Sequence, residues 1–411
     1  MAVADPPTVA DPVTKVSARW ISGFCLAVVG TFVGWYGPLQ ILLAKQADAF
    51  DPAGKESVLA VVALLGATVS LLANPVWGAL SDRTTSRFGR RIPWVVVGTV
   101  GGVAGLLVLA AADGIGLMII GWCLVQLTLN APLAALSAAI PDQVPVAQRG
   151  TAGGYFGLAQ MFGVMAGTGL AVAGGSIVGG YVACAAFVLL APLPYVLLGK
   201  DTVITERPPW HWRAFLSGFW ISPRRYPDFA WAWFTRFLMN VSNAIALLYL
   251  LFYLKDGVRI EDPETGVLIL TVLDACTMLI TVMVAGVWSD RIGRRRVFVF
   301  GSGVIMAVAA MLLAVWPTWA GAVTAAIVLG VGFGAYTSVD FALITQVLPR
   351  AADRGRDLGV LNVANTLPQV LAPVVAAPIV RHLGGYPMLF SVSALVALVG
   401  ALLVYRIKSV R

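Results

Sequence analysis

The sequence predicts an all-α integral membrane protein with twelve transmembrane helices in two pseudo-symmetric six-helix bundles. Three observations carry that prediction. Hydrophobic residues make up 59% of the 411-residue chain and charged residues 12%, too few charges to cover a water-soluble surface of this length. The apolar sequence falls into long runs, each able to cross a hydrocarbon core of roughly 30 Å at about 1.5 Å per helical residue. Two arginine-rich segments, GALSDRTTSRFGRR from Gly78 and GVWSDRIGRRR from Gly286, cap such runs at matching places in the two halves. A duplicated helical membrane protein reads this way.

Residues 1–19 form an Ala/Pro/Val leader. The run from Trp20 to Ala44 is too long for a signal-peptide core and is expected to remain as the first span. Twelve spans follow from the runs: 20–44, 57–80, 93–112, 115–140, 151–174, 178–199, 229–254, 265–288, 297–315, 319–347, 357–380 and 386–406. The domain organisation is therefore a first bundle over 20–199, a connecting loop over 200–228, a second bundle over 229–406 and a tail over 407–411. Of the 28 Lys and Arg residues, 22 flank one side, five flank the other (Lys45, Lys55, Lys255, Arg259, Arg381) and Arg236 lies within a span. The positive-inside rule assigns both termini and the connecting loop to the cytoplasm. That loop contains TERPPWHWR, which suits an interfacial segment or a plain linker.

The formal charge of +8 does not indicate nucleic acid, because the arginines sit in membrane-flanking loops without an interleaved aromatic surface. Cys25, Cys123, Cys184 and Cys276 fall in apolar runs, where a free thiol behaves as a small hydrophobe. They show no disulfide or metal spacing, and no cofactor is expected. The repeat extends past the arginines. At the offset that places Asp82 on Asp290, NAPLAALSAAIPD from Asn130 falls on SVDFALITQVLPR from Ser338. Pro141 then meets Pro349, and Arg149-Gly150 matches Arg354-Gly355 after a small contraction.

On these motifs the chain resembles the major facilitator superfamily across its twelve spans. GVWSDRIGRRR matches that family's loop 8–9 signature, and GALSDRTTSRFGRR its loop 2–3 signature with three extra residues, Thr84 to Ser86. SDRTTSRFGRRIPW, AAIPDQVPVAQRG and YTSVDFALITQVLP…GRDLGVLNVANTLPQVLAP are similar to the sucrose/proton and glycoside–cation symporter branch. The resemblance implies that Asp82, Arg83, Gly89 and Arg90, with Asp290, Arg291 and Arg294 as a second copy, form latches that close and release one side. Arg149 and Arg354, matched by the repeat, join this gating set. Arg91 belongs to the first latch by position, but for Arg91, Arg295 and Arg296 the reading as topology anchors is preferred.

Polar residues also recur within the spans at helical spacing. Tyr36 and Gln40 mark span 1, Gln126, Asn130 and Ser137 span 4, and Arg236, Asn240 and Asn243 span 7. Tyr336 and Asp340 mark span 10, and Asn362, Asn365 and Gln369 span 11. Each set lies on one helix face, and groups that need hydrogen bonds should turn from lipid toward a wet cavity. Amides, hydroxyls and rings together suit a neutral polyhydroxyl substrate such as a sugar; helix–helix hydrogen bonding is the structural alternative. Arg236, Asp340 and Asp274 are the ionisable groups within spans and hence the coupling candidates. Asp340 and Arg236 should each lie roughly 12–14 Å from the ends of their helices, so they can pair. Span 5 is rich in glycine, including Gly153-x-x-x-Gly157 and Gly163-x-x-x-Gly167, which favours close helix approach. It lacks the Gly-Pro element usual in the family's efflux members.

No nucleotide loop, metal cluster or nucleophile–base spacing supports an enzyme. The expectation is a secondary active transporter working by alternating access, most simply a proton-coupled symporter of a small sugar or glycoside. An exporter of an amphipathic compound is the alternative, and a sensor or assembly factor on the transporter fold a remote one. The expected partners are a small-molecule substrate, protons or Na⁺ and the lipid bilayer, with no nucleic acid. A monomer in a bacterial cytoplasmic membrane is expected.

Overall fold

The structure is a computed structural model that describes residues 15–198, 201, 203, 224, 226–292, 294–347 and 354–408. Within its helices, side chains 146–147, 198, 287, 290, 341–342, 344–347, 354–363 and 366 lie outside that description. So do the TERPPWHWR stretch, most of the leader and the last residues of the tail.

Every regular element among the described residues is helical. The first, α1 (Ala18–Phe50), begins at Ser17, whose hydroxyl accepts the Trp20 amide. It widens to a π-turn over Pro38–Leu42, where proline's missing N–H breaks the regular ladder. Then come α2 (Lys55–Asp82), α3 (Ile92–Ala110), α4 (Ile115–Gln143), α5 (Val146–Ala173) and α6 (Ile177–Leu190, continued by Leu193–Leu198). The second series is α7 (Pro227–Leu248, then Leu250–Val258 after a 43° bend), α8 (Pro263–Ile292), α9 (Arg295–Val315), α10 (Trp319–Val347), α11 (Arg354–His382) and α12 (Gly385–Leu403).

These twelve helices correspond to the twelve expected spans. Ten are long and apolar enough to cross a membrane, and bent α7 makes an eleventh. The twelfth, α11, carries Pro368, Pro373 and Pro378 and the most polar sequence. Leu72, Ile280, Met283 and Leu197 are among many large apolar side chains left exposed, an outer surface that lipid would cover.

The helices pack as two compact units. One holds residues 1–38 with 68–211, the other 39–67 with 212–411. The far end of α1 and the start of α2 therefore belong to the second unit. Within the first unit, α3 packs on α4 and α6, and α1 on α5. A methyl group on Gly163 would lie 2.4 Å from Phe32 Cβ, and one on Gly167 2.8 Å from the Gly37 amide nitrogen. This glycine pair lets α5 reach the backbone of α1. A methyl group on Gly153 or Gly157 would meet nothing within 4 Å among the described residues, so this glycine motif does not serve a close helix approach there.

In the second unit α8 and α9 flank α10, and α7 packs on α11 and α12. Met239, Met306, Tyr336, Leu343 and Ala397 belong to its core. Ser242 and Ser393 join α7 to α12 by a buried hydroxyl contact of 3.0 Å.

Candidate functional site

The centre of the second unit holds an ion pair. Asp340 on α10 is only 7% exposed, and its Oδ2 accepts a hydrogen bond from Arg236 Nη1 on α7. Its other oxygen accepts from Tyr336 OH at 2.9 Å, one turn earlier on α10. Arg236 Nε donates to Asn365 Oδ1 on α11 at 2.8 Å. Asn240 Nδ2 donates to the Arg236 carbonyl at 2.9 Å and reaches Asn365 Oδ1 at 3.4 Å. Both carboxylate oxygens and two nitrogens of the guanidinium are thus engaged across three helices, with Asn240 bracing the Arg236 backbone, as such charges require partners. The spacing that placed Arg236 and Asp340 at one depth also brings them into contact.

Asp274 stands apart on α8, and its Oδ1 is buried with no hydrogen-bond partner among the described residues. The remaining polar positions divide. Asn130 is engaged between helices: its Nδ2 donates to Ser70 Oγ at 2.8 Å and to the Gln126 carbonyl at 2.6 Å, and its Oδ1 accepts from Asn74 at 3.1 Å. Tyr36 stacks on Phe32. Tyr36, Gln40, Asn243 and Gln369 make no side-chain hydrogen bond among the described residues, and neither does the Gln126 amide. The Asn362 side chain lies outside the description.

At the end of the first unit that carries the arginines, the hub is Arg91. This residue, expected chiefly as a topology anchor, is 2% exposed. It lies 2.7 Å from both Asp82 Oδ1 and Asp142 Oδ2, and donates to Ser81 Oγ at 2.8 Å. Burial opposes its charge, yet the two carboxylates outweigh that and raise its pKa above the ordinary arginine value. Arg90 also pairs with Asp142, its Nε 3.0 Å from Oδ2. Asp201 Oδ2 accepts the Arg91 and Ile92 amides at 2.5 and 2.9 Å and so caps α3. Gly89 has φ +90°, and a Cβ there would strike Asp201. Arg149 turns back on α4, donating to the Pro141 and Val144 carbonyls, a helix C-terminal cap. Sequence reasoning missed Asp142 and Asp201; the one signal was an acid following Pro141 at the end of span 4.

Of the second copy, Arg291 and Arg294 are exposed, while the side chains of Asp290 and Arg354 lie outside the description. Arg296 donates to the Lys408 carbonyl at 2.9 Å.

The opposite end of the second unit carries a second ion cluster that the sequence reading did not assemble. Lys55 Nζ lies 2.7 Å from Asp256 Oδ2 and 3.3 Å from Asp48 Oδ1, above the Phe252 ring. Lys255 also pairs with Asp48. Lys45 meets Glu264 at 2.6 Å, and Arg381 donates to Ser57 Oγ at 2.6 Å. Four of the five basic residues counted on the sparsely charged side therefore hold residues 39–67 against α7, α8 and α11, while Arg259 donates to the nearby Asp256 carbonyl at 3.4 Å.

A helical bundle with an apolar outer surface, a buried ion pair and paired arginine loops defines a multi-pass membrane carrier. The chain belongs to the Major Facilitator Superfamily, whose profile matches residues 19–273 and 260–411. Membership of that family makes it a multi-pass membrane transporter. A sucrose transport protein of Arabidopsis thaliana, SUC4, is 33% identical over 110 residues, which span 27% of this chain and 21% of that relative. A point mutant of the nucleoside transporter NupG shares the fold at a TM-score of 0.76 and 14% identity, covering 94% of this chain and 99% of its own. A POT family transporter in complex with a thioalcohol-conjugated peptide does so at 0.75 and 11%, covering 94% and 96%.

Proposed function

We propose that this protein is a proton-coupled symporter of a small sugar or glycoside, with its arginine-rich end in the cytoplasm. The observation that carries the coupling is Asp340, a buried acid whose two oxygens are held by Arg236 and Tyr336. A proton on Asp340 neutralises it and releases Arg236, so protonation and rearrangement of α7 against α10 are linked. The amides of Gln40, Asn240, Asn243, Asn365 and Gln369 supply hydroxyl-binding groups without net charge, which fits a neutral polyol. The stretch shared with a sucrose transport protein supports that class. Asp82, Gly89, Arg90, Arg83 and Arg149, with Asp290, Arg291, Arg294 and Arg354 in the second copy, are proposed for gating; Arg91 and Asp142 join them. Asp274 is a second candidate proton site.

The test is uptake of radiolabelled sucrose and a panel of glycosides into proteoliposomes. Uptake driven by an inside-alkaline gradient and abolished by a protonophore is the expected result. Accumulation driven by Na⁺ alone would replace the coupling ion, and no uptake of any sugar would remove the substrate class.

A further inference from the structure

Asn365 on α11 touches the ion pair with one end of its amide and leaves the other end open. A guanidinium carries only donors, so the Asn365 atom that meets Arg236 Nε at 2.8 Å is the carbonyl oxygen. The same oxygen receives Asn240 Nδ2 at 3.4 Å. An amide oxygen offers two lone pairs, and both are taken while Arg236 keeps this place. Asn365 Nδ2 has no hydrogen-bond partner among the described residues, and the side chain is only half-buried. Asn240 is half-buried too. Its Nδ2 is spent on the Arg236 carbonyl and on Asn365, and its Oδ1 has no partner among the described residues.

The position of Arg236 is set by Asp340, which holds Nη1 and thereby keeps Nε on Asn365. A proton on Asp340 removes the charge that anchors the guanidinium. Arg236, whose side chain is 18% exposed, can then leave Asn365. With its oxygen freed, the amide offers an acceptor beside its donor, a match for two neighbouring hydroxyls of one polyol. While Asp340 is ionised the amide can only donate. Among the described groups no other charge stands at Asp340; Tyr336 holds its second oxygen. Asp274 of α8 approaches α10 at Gly330, about 15 Å along the helix. The ionisable groups of α9 are Arg295 and Arg296 at its start. Asp228 of α7 accepts the Lys408 amide, and Arg381 and His382 lie in the last turn of α11.

We propose that Asn365 links proton and substrate binding: ionised Asp340 keeps the Asn365 oxygen on Arg236, and protonation releases it to a substrate hydroxyl. This rests on the reading of the protein as a proton-coupled sugar symporter. By reciprocity, bound sugar favours the protonated acid as much as the proton favours the sugar. The test is equilibrium binding of radiolabelled sucrose to the purified full-length protein from acid to alkaline pH. The wild type should bind about tenfold more tightly on the acid limb, the worth of one hydrogen bond. Asn365→Ala, and Asn365→Leu with nearly the original shape, should bind sucrose with one affinity on both limbs. A tenfold ratio that survives in either variant overturns the linkage and leaves the symport reading intact. A wild type whose sucrose affinity does not vary with pH, or that binds no sucrose, overturns that reading and the linkage with it.

Discussion

Arg91 Nε donates to Asp142 Oδ2 at 2.7 Å, which ties the last arginine of the loop between α2 and α3 to the end of α4. The same guanidinium holds Asp82. One buried cation therefore joins three helices at the arginine-rich end of the first unit. Arg91→Ala removes one of the two cations on the Asp142 carboxylate, which is only 11% exposed and stays paired with Arg90, and is expected to destabilise the protein by roughly 2 kcal/mol, the loss of a charge-assisted hydrogen bond. Arg91→Lys keeps the charge but loses the fork geometry and should fall between. The melting temperature of the purified protein checks both; an unchanged value for Arg91→Ala would show that the three-helix tie contributes nothing.

Asp201 places a carboxylate on two amides at the start of α3. Asp201→Asn keeps an acceptor and loses the charge that complements the helix N-terminus, an expected loss of about 1 kcal/mol. Hydrogen exchange of the Arg91 and Ile92 amides should accelerate. Gly89→Ala should do the same, since its new methyl displaces Asp201 and its positive φ strains any other residue.

Lys55 is the shared cation of Asp48 and Asp256. Lys55→Gln leaves those acids without it and should raise hydrogen exchange over residues 51–57, where α2 begins. Adding Asp256→Asn should restore part of the protection, because it removes the stranded charge that the single change creates. Equal exchange in the single variant and the wild type would mean that the cluster does not hold this segment in place.

Hydropathy made the twelve helices legible, because a chain in lipid must satisfy its backbone within each helix and cover it with apolar side chains. The Arg236–Asp340 contact was legible through depth alone: both residues lie a similar distance from their helix ends, and a buried charge needs a partner. Arg91 was not legible, since nothing in GRR says which of two adjacent arginines turns inward. That choice is made by Asp142, on another helix, and by Asp201 capping the turn at Gly89. The Lys55 cluster was hidden for a related reason. Lys55 and Asp256 are some two hundred positions apart, and counting loop charges for topology treats each as an isolated marker. Asn130 shows the converse, a polar residue on a plausible cavity stripe that the fold spends on Ser70 and Asn74.

The central claim is that the proton bound by Asp340 drives accumulation, and Asp340→Asn in proteoliposomes tests it most directly. The substitution keeps the size of the side chain and an acceptor for Tyr336, and removes the group that gains and loses the proton. With a sugar that the wild type concentrates, the variant should lose accumulation driven by an inside-alkaline gradient while retaining counterflow exchange of labelled for unlabelled substrate. If the Asn variant still concentrates the sugar with the wild-type dependence on the proton gradient, Asp340 does not couple transport to protons.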